Sequence, residues 1–103
     1  MRQVFLLRYK TKPERAAENE QLVRAVFEEI HRARPEGIRY STFLLDEGLT
    51  LVNIVVTETS DGLAPLGKLE AYRRIQQGKF DRFDEPPQVT ELHELGTYRV
   101  FDS

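Results

Sequence analysis

The 103-residue chain contains no cysteine. That excludes disulfides, thiolate nucleophiles and Cys-ligated zinc or iron–sulfur centres. Tryptophan is also absent, and the two histidines, His31 and His93, lie far apart with no His-x-x-x-His spacing, so no metal site is expected. Charge of one sign is lacking too: 15 Lys and Arg against 17 Asp and Glu leave a net −2. A general nucleic-acid binder needs a basic face to displace counterions, and none is expected here. The nearest basic cluster, Lys68, Arg73, Arg74, Lys79 and Arg82, is interspersed with Glu70, Asp81 and Asp84 and reads as a solvated helix face. The only apolar run near the start, Val4 to Leu7, is too short for a signal-peptide core or a bilayer span. No membrane partner and a cytoplasmic location are therefore expected. There is no glycine-rich phosphate loop, no Gly-x-Ser-x-Gly elbow and no dinucleotide fingerprint, which disfavours nucleotide chemistry.

What is present is ordinary for one globular domain: 40% apolar and 31% charged residues, with six Phe and four Tyr to fill a core. A domain this small buries a modest fraction of its surface when alone, so oligomerisation helps it. The organising stretch is Ile38 to Thr57, two β-rich runs joined by Asp46-Glu47-Gly48. Asp and Glu suit a type I turn and Gly48 can take the positive φ that closes a three-residue loop. That loop pairs Leu45 with Leu49, and hence Phe43 with Leu51, Ser41 with Asn53 and Tyr40 with Ile54. Both faces of the hairpin come out mostly apolar, so each needs a cover. Its own helices supply one, and a second copy of the chain the other.

The first strand is expected over Val4 to Tyr9, apolar on both faces. Thr11-Lys12-Pro13-Glu14 then reads as a capping box with Pro in the first turn. Leu22, Val23, Val26, Phe27 and Ile30 give the first helix one apolar stripe, and Pro35-Glu36-Gly37 stops it. Pro65 opens a second helix with Leu66, Leu69 and Ile75 inward, and Gly78 is its C-cap. Phe80 and Phe83 form a further helical turn ahead of Pro86-Pro87. A last strand is expected from Gln88 to Phe101, bent at Gly96, with its tail reaching a partner. The order β-α-β-β-α-β is the ferredoxin-like α+β arrangement with an antiparallel sheet. One sheet face then lacks helices, and two such faces stacked together make a dimeric α+β barrel.

Arg8 with Lys12-Pro13-Glu14, Pro35 to Gly37, Tyr40 and Glu58 together resemble the dimeric α+β barrel superfamily, within it the antibiotic biosynthesis monooxygenase-like proteins. The resemblance implies a small homodimer with a pocket between sheet and helices. Some members oxidise phenolic substrates with dioxygen and without metal or flavin; others degrade haem with an Asn, a Trp and a His. This chain has no Trp and no His in its second helix, so the haem-degrading set does not carry over and no cofactor is expected. Asn53 also sits in the third strand, not where the haem-degrading members place theirs.

The candidate catalytic residues are Asn53, His93 and Arg8. Asn53 interrupts an apolar strand; it either orients a substrate oxyanion or pairs with Ser41 across the hairpin. His93 beside Glu91 and Glu94 is a base or an exposed edge residue. Arg8 stabilises negative charge or pairs at a dimer seam. Tyr9, Tyr40 and Tyr72 are candidate substrate-binding residues, or core tyrosines with one wet tip. His31, in the last turn of the first helix, reads as a surface residue suited to the helix dipole. Two functions follow: a cofactor-independent oxygenase acting on a small aromatic or polyketide-like molecule, or a non-catalytic dimeric ligand-binding or interaction module.

Overall fold

A computed structural model describes residues 2–100. Strand β1 (Gln3–Lys10) leads through a 3-10 turn (Pro13–Arg15) into helix α1 (Ala16–Ala33). Strands β2 (Ile38–Leu44) and β3 (Thr50–Thr57) follow, then three short helices, α2 (Ala64–Gly67), α3 (Glu70–Gln76) and α4 (Lys79–Arg82), and strand β4 (Gln88–Leu92). The sheet runs β2-β3-β1-β4 with every neighbour antiparallel. This is the expected ferredoxin-like α+β topology.

The hairpin register differs from expectation by one residue. Leu45 N–H donates to Thr50 O (2.9 Å), so the loop holds four residues, Asp46 to Leu49, rather than three. Two features demand the extra residue. The Glu47 carboxylate accepts the N–H groups of Leu49 (3.0 Å) and Thr50 (2.5 Å), and Leu49 O accepts both Thr11 N–H (2.8 Å) and Thr11 Oγ1 (3.1 Å). Asn53 therefore pairs with Thr42 instead of Ser41, and Phe43 with Val52 instead of Leu51. Gly48 takes φ 82°, as a turn of this hand requires.

The same bonds overturn the expected capping box. Thr11 is completely buried and ties the end of β1 to the hairpin loop, while Lys12 occupies the cap position without a side-chain cap. Helix α1 ends as expected, with Arg34 left-handed (φ 49°) ahead of the turn into β2. Gly37 is needed there, because a Cβ would lie 2.8 Å from Thr59 Cγ2. The second helical region is in three pieces. Gly67 ends α2, and Gly78 (φ 67°) turns the chain between α3 and α4 rather than capping one long helix. Strand β4 stops at Leu92, paired with Val4 one residue from the start of β1, instead of continuing to Phe101, which lies outside the described residues.

All helices cover one sheet face. Its central residues are Leu7 and Tyr9 on β1, Tyr40 and Thr42 on β2, and Leu51, Asn53 and Val55 on β3. Tyr9 stacks on Phe83 with ring centroids 4.3 Å apart, worth about 1 kcal/mol beyond area burial, and Leu51 completes that nucleus. Helices α1 and α3 are tied by Glu29, whose carboxylate accepts the N–H groups of Glu70 (3.2 Å) and Ala71 (2.7 Å) at the start of α3. The opposite sheet face carries Val4, Leu6, Val52 and Ile54, all half-buried, and Phe43, which is exposed. Among the described residues no helix is long and apolar enough to cross a membrane.

Candidate functional site

Between the sheet and the helices lies a small recess of about 60 Å³, walled by Leu7, Val23, Val26, Phe27, Ile75 and Phe83. Its polar groups are Tyr9, Tyr40, Thr42 and Asn53 from the strands, with Gln76 and Lys79 from α3 and α4. The recess adjoins an open groove of about 760 Å³ between α1 and the hairpin, the two sharing Val23, Phe27 and Thr42 in their walls. Glu20, Arg24, Glu28 and His31 line the α1 side of that groove. The arrangement is an apolar cleft with polar groups, Lys79 among them, around the inner recess at its closed end and further charge along the α1 side of the groove.

Asn53 sits at the centre of the closed end and is 4% exposed. Its Oδ1 accepts from Thr42 Oγ1 (2.8 Å), and its Nδ2 donates to Tyr40 OH (3.1 Å). The amide is thus satisfied within its own hairpin, through the register that replaced Ser41 by Thr42. The Tyr40 ring packs edge-on against Phe27, centroids 5.4 Å apart, which fixes where its hydroxyl can lie.

A second buried cluster reaches the same recess through Tyr9. Tyr9 OH accepts from Asn19 Nδ2 (3.1 Å), and Asn19 Oδ1 accepts from Arg82 Nε (3.2 Å). Arg82 is 2% exposed and spends its other nitrogens on Gln77 O (2.9 Å) and Ile75 O (2.5 Å), the last carbonyls of α3. Among the described residues no carboxylate pairs with it. Burial lowers its pKa from the ordinary value, and the charges of Glu18 and Tyr9 oppose that shift.

Burial also raises the phenol pKa of all three candidate tyrosines. At Tyr9 the Asn19 hydrogen bond and the Arg82 charge work against the rise. At Tyr40 desolvation is the largest cause, nearby Tyr72 and Tyr9 add to it, and Thr42 opposes it. Tyr72 rises through burial alone. These phenols stay neutral at physiological pH and serve as hydrogen-bond donors, not bases.

The structure thus brings Asn53, Tyr40 and Tyr9 to one cleft. Tyr72, on α3, is close enough to influence Tyr40 but lines neither cavity. Arg8 lies on the helix-free face between Val52 and Gln88 and is exposed. His93 follows β4 and is exposed, in a shallow depression beside Arg2 and Glu94, themselves 3.8 Å apart. Neither Arg8 nor His93 reaches the cleft. The buried pair Asn19 and Arg82 was not expected. Asn19 had a legible signal, standing four residues before Val23 on the apolar stripe of α1; His31, read as a surface residue, is exposed but at the groove's mouth. Among the described residues no cluster of three His, Asp or Glu could hold a metal ion.

No protein-family model and no curated protein matches this sequence. Solved structures do match in shape. A candidate antibiotic biosynthesis monooxygenase from Nitrosomonas europaea superposes with TM-score 0.74 at 14% identity, over 91% of this chain and 90% of that one. Another from Caulobacter crescentus gives 0.72 at 17%, over 92% and 91%. SnoaB from Streptomyces nogalater, a cofactor-independent oxygenase, gives 0.68 at 14%, over 95% and 97%. At these identities the likeness establishes a shared fold, the one that the sequence resemblance implied.

Proposed function

We propose that the cleft is the active site of a cofactor-independent, monooxygenase-like enzyme that acts, as a cytoplasmic homodimer, on a small aromatic or polyketide-like molecule. The observation that carries this reading is the Asn53–Tyr40–Thr42 cluster. A buried amide and phenol at the closed end of an apolar cleft suit a ligand with one oxygen inward and a flat apolar body. The shared fold with SnoaB, a cofactor-independent oxygenase, supports the reaction class.

The chemistry balances with dioxygen as co-reactant. A phenol loses its proton, and the electron-rich ring carbon opposite its oxygen forms a C–O bond to dioxygen. The peroxide takes up that proton. Loss of the hydrogen on the same carbon then breaks the O–O bond, leaving a carbonyl there and releasing water. Tyr40 and the N–H of Asn53 that is not given to Tyr40 donate to the substrate oxygen while negative charge gathers on it. The homodimer is supported by the apolar helix-free face of Val4, Leu6, Phe43, Val52 and Ile54. Light scattering is expected to give twice the chain mass of 12.0 kDa, and Ile54→Asp a single chain.

The test is oxygen uptake and quinone absorbance with 1-naphthol and larger polycyclic phenols, in chelator-treated buffer. We expect one quinone per dioxygen, and a loss of about a hundredfold or more in Asn53→Ala, the usual cost of removing one oxyanion donor. Binding of these phenols without any oxygen uptake would favour the second reading, a non-catalytic dimeric ligand-binding or interaction module. One observation speaks for that module: the walls of the inner recess include no carboxylate or imidazole to accept a proton.

A further inference from the structure

Two buried asparagines touch two tyrosine hydroxyls in one recess, and the direction of one of these contacts is forced. Arginine carries donors only. Asn19 must therefore turn its Oδ1 to Arg82 (3.2 Å) and its NH₂ to Tyr9 (3.1 Å). The Tyr9 oxygen becomes an acceptor, and its own proton has no acceptor among the described residues. Tyr9 lines the recess, so that proton is available there. Tyr40 is placed similarly, accepting from Asn53 while Thr42 donates to Asn53, but Thr42 also lies in hydrogen-bond contact with the Tyr40 hydroxyl and a threonine both donates and accepts, so the direction is forced at Tyr9 alone. Along β3 the two tyrosines flank Asn53: Tyr9 pairs with Leu51 and Tyr40 with Val55, each two residues away.

We infer that Tyr9 and Tyr40 form a two-donor clamp for a hydrogen-bond acceptor oxygen, a ketone, quinone or phenolate, and that Arg82 and Asn19 are positioning residues that fix Tyr9 as a donor. This deepens the reading above and rests on the cleft being a small-molecule site. A recess of about 60 Å³ takes one oxygen-bearing group and leaves the rings to the groove outside. Hydrogen bonds in a buried chain polarise one another, and a cation at the far end strengthens each donor down the line. Burial keeps both phenols protonated, so the clamp persists across the physiological pH range. The clamp favours the charge-accumulating oxygen of a phenolate and equally the carbonyl of the product.

Fluorenone and fluorene are suitable probes, because they share one ring skeleton and differ in a single acceptor oxygen. Two buried hydrogen bonds lead us to expect the wild-type protein to prefer fluorenone roughly tenfold. Tyr9→Phe keeps the ring on Phe83 and should reduce the preference to about threefold. Asn19→Asp is the sharper variant. Its carboxylate accepts from both sides, pairing with Arg82 and consuming the Tyr9 proton, so the preference should fall similarly while the melting temperature stays at or above wild type. A purely structural role for Asn19 does not combine those two results. Full tenfold preference in both variants overturns the clamp, as does a wild-type protein that binds the two compounds equally. If Asn53→Leu loses fluorenone while Asn19→Asp and Tyr9→Phe keep the full preference, the site reading stands and the clamp alone fails. If the wild-type protein binds neither compound, both fail together.

Discussion

Replacing Arg82 by Met tests how the buried polar cluster holds the fold. The guanidinium satisfies three acceptors, the Oδ1 of Asn19 and the carbonyls of Ile75 and Gln77, from a position only 2% exposed. Methionine matches much of its volume but supplies no donor. An orphaned buried acceptor costs about 1–3 kcal/mol. Asn19 is itself buried and bears that cost in full, whereas the two carbonyls are partly buried and regain some hydration. Removing an uncompensated buried cation returns part of the loss, because its own desolvation penalty disappears. The net expectation is a loss of about 2–4 kcal/mol. A domain of this size has roughly 5–15 kcal/mol in total, so the variant folds but melts much earlier. Urea unfolding at constant slope measures the difference. The decisive comparison is Asn19→Leu, made in the wild type and again in the Arg82→Met background. In the second case the asparagine is already orphaned, so its replacement should cost less, or even stabilise. A loss below about 1 kcal/mol for Arg82→Met, or strict additivity of the two changes, refutes the network argument.

Thr57 is the one buried side-chain polar atom without a partner among the described residues, at 1% exposure. Thr57→Val exchanges that hydroxyl for a methyl of like shape, and thermal unfolding should show a gain of about 1 kcal/mol, or several degrees in Tm; an unchanged or lower Tm counts against it. Glu29 is held below its ordinary carboxylate pKa of 4.5 chiefly by the Ala71 N–H. A depressed folded pKa contributes stability above pH 4.5 that is lost as pH falls through the folded value, so Glu29→Gln should be less stable at neutral pH and show a flatter acid limb. Tyr9, Tyr40 and Tyr72 have raised values, so ultraviolet titration of phenolate should find these three ionising later than free tyrosine. Their contribution is present below pH 10 and lost as pH rises through the folded values, so alkaline unfolding should coincide with their ionisation.

The order of elements was legible because each carries a local signal: β-branched runs in β2 and β3, an apolar stripe along α1, Pro35 to Gly37 between them. What failed were the places where a long-range contact decides. The hairpin loop is one residue longer than its turn chemistry suggested, because Leu49 is bound by Thr11, which lies 38 residues away in the chain. The same contact takes Thr11 from the role of helix cap. A local reading cannot weigh one buried threonine shared by two elements. Strand β4 failed for a related reason: its pattern continues past Leu92, but its partner β1 begins at Gln3.

The register error reaches the site, because it decides what Asn53 meets. With Ser41 opposite, the amide would have a short hydroxyl partner on the neighbouring strand. With Thr42 opposite, it shares the helix-covered face with Tyr40, and a polar cluster closes an apolar cleft. Residues chosen for reactive side chains, His93 and Arg8, lie outside that cleft. Those that build it are polar residues interrupting apolar patterns: Asn53 within TLVNIVVT, Asn19 in line with Val23 and Val26, and Arg82 beside Phe83. The physical ground is the cost of burial. A buried polar group without a partner is expensive, so one placed in a core stripe must be tied to others like it. Asn19 and Arg82 bond each other and Tyr9, Asn53 bonds Tyr40 and Thr42, and both tyrosines line one recess. That convergence, more than any histidine or arginine in an exposed strand, is what locates the site in this chain.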